Sequence, residues 1–225
     1  MNPKIISIEG NIGSGKSTII RNLEKKYAGF SDYVFLREPV HIWETIQDKN
    51  GKTILEKFYK NPEKHAFAFQ VMAYATRSAI LQDALRENPD CKYILCERSL
   101  EADNQIFAKM LKNDDKMEDV EYEIYEYFYK TRKQNMNLDA VVYIDASPSV
   151  CIERINKRNR DGETNISIEY LEDCKNYHDD WLMNNDNQLK ILHIDTNMDA
   201  TYDASDKNDI GNIWMSNIDT FIQTL

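Results

Sequence analysis

Gly10, Asn11, Ile12, Gly13, Ser14, Gly15, Lys16 and Ser17 form a complete G-x-x-x-x-G-K-S, with Thr18 directly after it. Each position has a chemical use. Glycines let successive backbone N–H groups turn inward around a phosphate, and a helix starting at the same place points its positive dipole end there. The Lys16 ammonium can reach the β- and γ-phosphates, and the Ser17 hydroxyl can take a place on Mg²⁺. The rival reading is a glycine-rich turn that binds nothing. The flanks argue against it: Ile5, Ile6 and Ile8 make a short apolar run suited to a buried strand, and residues 16–26 suit a helix. The stretch reads as a site for the phosphates of a nucleotide.

The elements that must position this chemistry follow in alternation. Apolar runs at 33–36, 93–96, 140–144 and 189–194 read as further strands, with helix-compatible segments between them. Asn61-Pro62-Glu63 is a helix start, with a capping asparagine, a first-turn proline and an acid beside it. That helix is expected over 61–86, with Phe67, Val71, Ala75, Ser78 and Leu81 as its inner stripe. Further helices are expected over 100–112, 120–133, from Ser147-Pro148, over 168–183 and over 210–224, with a polar loop at 197–208. Unbroken apolar strands alternating with helices predict an α/β fold: a five-stranded parallel sheet with helices on both faces. Ligands of such sheets bind beyond the carboxyl ends of the strands. The first strand ends in the phosphate loop, the second in Glu38 before Pro39, the third in Glu97-Arg98-Ser99, so three polar ends should meet at one crevice.

Bulk properties bound the rest. A chain of 225 residues without internal repeat or linker fits a single domain over 1–225. The formal charge of -10 repels a nucleic-acid backbone, so DNA or RNA is not an expected partner. No apolar run approaches the roughly 20 residues that span a bilayer, and the first strand begins too early to leave room for a signal peptide. Cys91, Cys96, Cys151 and Cys174 show neither C-x-x-C spacing nor disulfide-framework density, which points to a reducing, cytoplasmic location. His41, His65, His178 and His193 lack zinc-ligand spacing and read as single surface or half-buried histidines.

Several motifs in order resemble the deoxyribonucleoside kinases, in particular the deoxycytidine/deoxyguanosine kinase branch. They are IEGNIGSGKST at the start, Glu38-Pro39-Val40 with Trp43, Phe67-Ala68-Phe69-Gln70 with Arg77, and Glu97-Arg98-Ser99. Arg154, Arg158 and Arg160 with Glu163 follow, then Ile168-Glu169-Tyr170-Leu171 and Trp181-Leu182. The resemblance implies a P-loop NTPase fold with an arginine-rich lid at about 154–166. It also implies transfer of a γ-phosphate from ATP, UTP or another NTP, with Mg²⁺, to the 5′-hydroxyl of a deoxynucleoside. Glu38 matches the general base and Arg98 the arginine that pairs with it and steadies the reacting hydroxyl, with Lys16 the third catalytic group. Glu97 matches a carboxylate near Mg²⁺, and Arg154, Arg158 and Arg160 the arginines around the donor phosphates. Gln70 would face the base between Trp43, Phe69 and Phe107. Arg77 and Asp103 match the charged pair beside the base, and Ala73 a small residue of this branch. Tyr59 and Glu163 match contacts to the sugar 3′-hydroxyl. An aspartate at 103 accepts from an exocyclic amine and opposes the carbonyl of thymine, so deoxycytidine and the purine deoxynucleosides are expected ahead of thymidine. The family is typically homodimeric through helices flanking the sheet.

Two departures stand out. Asn104 replaces the usual arginine after the specificity aspartate. Ala200 stands where relatives carry an aromatic ring near the donor base, which leaves ATP and UTP open. Two other functions compete. A nucleoside monophosphate kinase shares loop, lid and sheet, but needs an arginine-lined acceptor-phosphate pocket that Glu38 would oppose. A non-enzymatic nucleotide-binding subunit would have the fold alone, yet Lys16, Glu38 and Arg98 are all present.

Overall fold

The computed structural model describes residues 2–132, 136–160, 162–183, 189–206 and 208–225. Its strands are β1 (Lys4–Glu9), β2 (Tyr33–Leu36), β3 (Tyr93–Glu97), β4 (Ala140–Asp145) and β5 (Lys190–Asp195). All pair in parallel, in the order β2-β3-β1-β4-β5, which puts β1 and its loop at the centre. The early helices are α1 (Lys16–Lys26), α2 (Val40–Thr45), α3 (Ile54–Lys60) and α4 (Pro62–Glu87). Next come α5 (Leu100–Ala102), α6 (Lys109–Asn113) and α7 (Asp119–Arg132). The last are α8 (Pro148–Arg158), α9 (Ile168–Leu182) and α10 (Ile210–Gln223).

Period-two alternation along β1 divides the core. Ile6 and Ile8 pack with Ile19, Ile20 and Leu23 of α1 and Trp214 and Ile218 of α10. Ile5 faces the other way, into a cluster with Tyr74 and Leu81 of α4, Tyr125 of α7, and Cys174 and Trp181 of α9. Helices therefore cover both faces, as the buried apolar strands require. Asn61 caps α4 by accepting from Lys64 N at 3.3 Å, and Ser147 caps α8 by accepting from Val150 N at 3.4 Å.

Three expectations need correction. The inward face of α4 is Ala66, Phe69, Gln70, Ala73, Tyr74, Arg77, Ser78, Leu81 and Ala84, whereas Ala75 is exposed and Phe67 and Val71 are half-buried. Ser78 and Leu81 lie inward as expected, but the rest of the stripe misplaced the face because two inward residues, Gln70 and Arg77, are polar and serve the cavity. The expected 100–112 helix is split by a π-helical turn, Asp103–Ala108, between α5 and α6. His178 is fully buried, with Nδ1 against Cys174 O at 2.6 Å and its ring stacked on Tyr143. The cysteines are all free and buried. Among the described residues, no helix is long and apolar enough to cross a membrane.

Candidate active site

The phosphate loop is shaped by close backbone approach. Gly10 has φ 145°, and a Cβ there would lie 2.2 Å from Ile144 O; at Gly13 it would lie 2.6 Å from Cys151 O. No side chain fits at either place. Asn11 ties the loop outward, donating from Nδ2 to Leu171 O at 2.8 Å. Lys16 Nζ folds back over the loop mouth, donating to Gly10 O at 3.1 Å and Asn11 O at 2.6 Å. Burial, reinforced by Arg98, brings the Lys16 ammonium down to about 7, against the opposing pull of Glu97 and Glu38. Ser17 Oγ donates to Glu97 Oε1. Magnesium is usually held by one or two protein oxygens together with phosphates and water, so this hydroxyl–carboxylate pair beside Lys16 fits it.

Across from the loop lies a network of buried charges. Arg77, from α4, donates from Nε to Asp103 Oδ2 at 3.0 Å and from Nη1 to Glu97 O at 2.8 Å. Its Nη2 lies 3.4 Å from Glu38 Oε1 and 3.4 Å from Asp103 Oδ1. Arg98 Nε lies 3.3 Å from the same Glu38 oxygen, and its guanidinium stands 4.7 Å over the Phe107 ring. Burial pushes the Glu38 carboxyl up, but Arg98 and Arg77, with Lys16 and Arg160, outweigh it and hold it below the usual range. Asp103 goes the other way: burial raises it, and Arg77 compensates in part. The two carboxyls are therefore shifted in opposite directions, Glu38 down and Asp103 up. Gln70 is 2% exposed, with an amide oxygen that has no hydrogen-bond partner among the described residues. Phe69 is stacked on Phe58 at 4.7 Å and edge-on to Trp43 at 5.5 Å, and the Trp43 indole N–H is taken by Thr76 Oγ1.

These two halves line one cavity of about 390 Å³, within the usual range for a small-molecule site. Every residue singled out for the site lines it except Gly10 and Asn11, which are buried in the loop's own base. The arginines of residues 154–166 are not one set. Arg154 donates to Ser14 O at 3.3 Å and Met198 O at 3.0 Å and meets Asp199 Oδ1 at 3.1 Å. Arg158 and Arg160 both pair with Glu163, the latter at 3.0 Å. Tyr59 also lines the cavity, and burial, with Glu163 adding to it, raises its phenol well above the ordinary value.

Other lining residues were not anticipated. Thr196 Oγ1 donates to Ser14 O at 3.2 Å. Tyr202, at φ 55°, stands edge-on to Trp214 at 6.3 Å, its backbone N–H held by Asp209 Oδ1 at 3.0 Å. They sit past the last strand, where a polar stretch has no periodicity to mark them. Phe58 escaped because a single aromatic on a short helix reads as core.

A phosphate loop facing a carboxylate–arginine network across one cavity, at the carboxyl end of a parallel sheet, places the molecule among the ATP-dependent kinases of the P-loop type. The chain belongs to the deoxynucleoside kinase family, whose model, described as "Deoxynucleoside kinase", matches residues 6–223. It is 35% identical to a fowlpox virus (strain NVSL) protein named "Probable deoxycytidine kinase", over 99% of this chain and 89% of that one. It is 32% identical to the deoxycytidine kinase of Homo sapiens, over 87% of this chain and 85% of that protein. With the mitochondrial deoxyguanosine kinase of Xenopus laevis it shares 30% identity, over 81% and 74%.

Proposed function

We propose that this deoxynucleoside kinase moves the γ-phosphate of ATP, bound with Mg²⁺, to the 5′-hydroxyl of deoxycytidine and the purine deoxynucleosides in preference to thymidine. The observation that carries the preference is the Arg77–Asp103 pair in the wall that also holds Gln70, whose amide oxygen has no hydrogen-bond partner among the described residues. The 4-amino group of cytosine and the 6-amino group of adenine donate to such acceptors. Guanine's carbonyl can accept a hydrogen bond from Arg77. Thymine sets a carbonyl against Asp103 and gains no amine contact.

In this reading Glu38 orients the 5′-hydroxyl and takes its proton as the new bond forms. Its depressed pKa makes it a weak base, so in-line placement is the larger part of its work. Arg98 fixes the Glu38 oxygen that receives the proton. Ser17 and Glu97 would hold Mg²⁺, which supplies positive charge to the triphosphate. Lys16 and Arg154 face the donor phosphates, and residues 154–166 act as a lid whose Arg158 and Arg160 join them on closure. Tyr59 and Glu163 meet the sugar 3′-hydroxyl. The donor base lies toward Met198, Tyr202 and Trp214, so aromatic surface lost at Ala200 is supplied from Tyr202. The whole chain acts as one domain, in the cytoplasm and without nucleic acid. It pairs as a homodimer through α4 and α7, where Val120 and Tyr127 are 67% and 66% exposed. Sedimentation at the 26.4 kDa of a monomer would refute the dimer.

A coupled assay with ATP, the four deoxynucleosides and dCMP tests the main claim, with Lys16→Ala as background. Deoxycytidine or a purine deoxynucleoside should turn over fastest. Thymidine as the best acceptor would overturn the preference, and dCMP as the best acceptor would replace this reading with a monophosphate kinase.

A further inference from the structure

The last residue of β1 is a carboxylate that no solvent reaches. Glu9 is 0% exposed, on the face of β1 that also carries Ile5 and Ser7. A fully buried carboxylate, even with the Ser7 and Ser99 hydroxyls beside it, stabilises a fold less than a packed aliphatic side chain would. Folding alone gives no reason for it.

Its contacts show what it holds. Glu9 Oε1 accepts from Ser99 Oγ at 2.6 Å, and Ser99 Oγ accepts from Ala102 N at 3.1 Å, capping α5. Serine has one hydroxyl proton, so giving it to Glu9 leaves the lone pairs for the cap. Helix α5 runs directly into the π-helical turn that begins at Asp103. The residue before Glu9 grips the same corner: Ile8 O accepts from Arg98 N at 3.1 Å. Arg98 has φ 67°, a left-handed backbone that a non-glycine residue keeps only where its surroundings over-determine it. The residue after Glu9 is Gly10, where the phosphate loop begins. The second Glu9 oxygen and Arg98 Nη1 are both buried without a hydrogen-bond partner among the described residues, and Arg98 is the cation that acts most strongly on Glu9.

We propose that Glu9 is a positioning residue for phosphoryl transfer, locking the Arg98–Ser99 corner to the root of the phosphate loop. It thereby sets Arg98 and Asp103, and through them the acceptor, at a fixed distance from the donor phosphates. The inference rests on the reading that Glu38 and Arg98 meet the acceptor hydroxyl.

Steady-state kinetics of the full chain with ATP and deoxycytidine test it, for wild type, Glu9→Gln, Ser99→Ala and the double variant, with ATP Kd alongside. Burial raises the Glu9 carboxyl to about 7 against the pull of Arg98, and Glu9→Gln keeps the shape while removing the ionisable group. Its kcat should fall about tenfold or more while ATP Kd stays within about twofold, because misplacement by a fraction of an ångström is felt in the transfer step. Ser99→Ala should lose kcat in the same direction, and the double variant should be no slower than Glu9→Gln, because both act through one contact. A folded Glu9→Gln with wild-type kcat, additive losses in the double variant, or a rise in ATP Kd equal to the loss of kcat would overturn the proposal. Should Glu9→Gln fail to fold, Ser99→Ala decides: unchanged kcat overturns, and reduced kcat at constant ATP Kd supports. Glu38→Gln run in parallel separates the two ideas. Wild-type turnover there refutes the acceptor reading itself, whereas an inactive Glu38→Gln beside an unaffected Glu9→Gln refutes only the role of Glu9.

Discussion

On the proposed reading, the donor and acceptor halves of this cavity are built by opposite means. The donor half is backbone: glycines at φ 145° and 84° bring the chain within 3 Å of neighbouring carbonyls wherever a Cβ would stand, and one lysine supplies the charge. The acceptor half is side chain. Glu38, Gln70, Arg77, Arg98 and Asp103 come from three different stretches, and the charged four keep their places by neutralising one another. Removing the functional charge from the first half should spare the fold. Removing one from the second should not.

Lys16→Ala and Arg77→Met put that contrast to the test, and the first should show the largest effect on turnover. Losing the cation over the donor phosphates should lower kcat about 10³-fold. Stability should hold or rise, because folding lowers Lys16 from 10.5 to about 7. The unfolded chain then binds more protons between these values, so the lysine's cost to the fold fades as pH rises through that window. Arg77→Met should instead leave Glu38 and Asp103 short of a partner and cost about 3–5 kcal/mol of stability. Thermal denaturation of both variants decides. A Lys16→Ala protein that melts far below wild type, or an Arg77→Met protein that does not, would erase the distinction.

The same contrast explains what could be read from the amino-acid sequence. A backbone-built site needs consecutive residues, so Gly10 to Ser17 announced itself as one motif. Glu38 and Arg98 were legible because apolar strands end beside them. Gln70 and Arg77 blurred the pattern instead: they face inward on α4, so counting apolar residues turned Ala75 toward the core when it lies in solvent. The π-helical turn from Asp103 and the Glu9–Ser99 contact had no signal at all, since both depend on packing between segments far apart in the chain. The proposed donor-base wall at Tyr202 and Trp214 was hidden likewise, since its two rings meet across a loop that Asp209 holds from the α10 start.

A subtler cut on the acceptor side is Asp103→Asn. It keeps the volume and gives the wall a donor that thymine's carbonyl can use, while Arg77 retains Glu38 and the Glu97 carbonyl as partners. The ratio of kcat/KM for thymidine to that for deoxycytidine should rise about tenfold, with ATP KM unchanged. An unchanged ratio would move base selection away from Asp103 and leave Gln70 and the cavity shape to account for it.

The smallest effect belongs to the donor half and would be seen as protons rather than turnover. In the free enzyme Lys16 titrates at about 7, burial being the leading cause and Arg98 the next. A triphosphate beside it favours the charged form and must raise that value. At about pH 8 the free lysine is mostly neutral and the bound one charged, so ATP binding should take up close to one proton, and at about pH 6 almost none. Calorimetry in buffers of different ionisation enthalpy measures this directly, and the uptake should vanish in Lys16→Ala. Glu38 would give the opposite pattern on the acceptor side. Glu38, held below its usual range, is already ionised at these pH values and has no proton to exchange. Deoxycytidine binding should therefore be nearly proton-neutral at about pH 8. Equal proton uptake by both ligands would mean that the two halves share one titrating network, with Lys16 coupled through Glu38 to the acceptor wall.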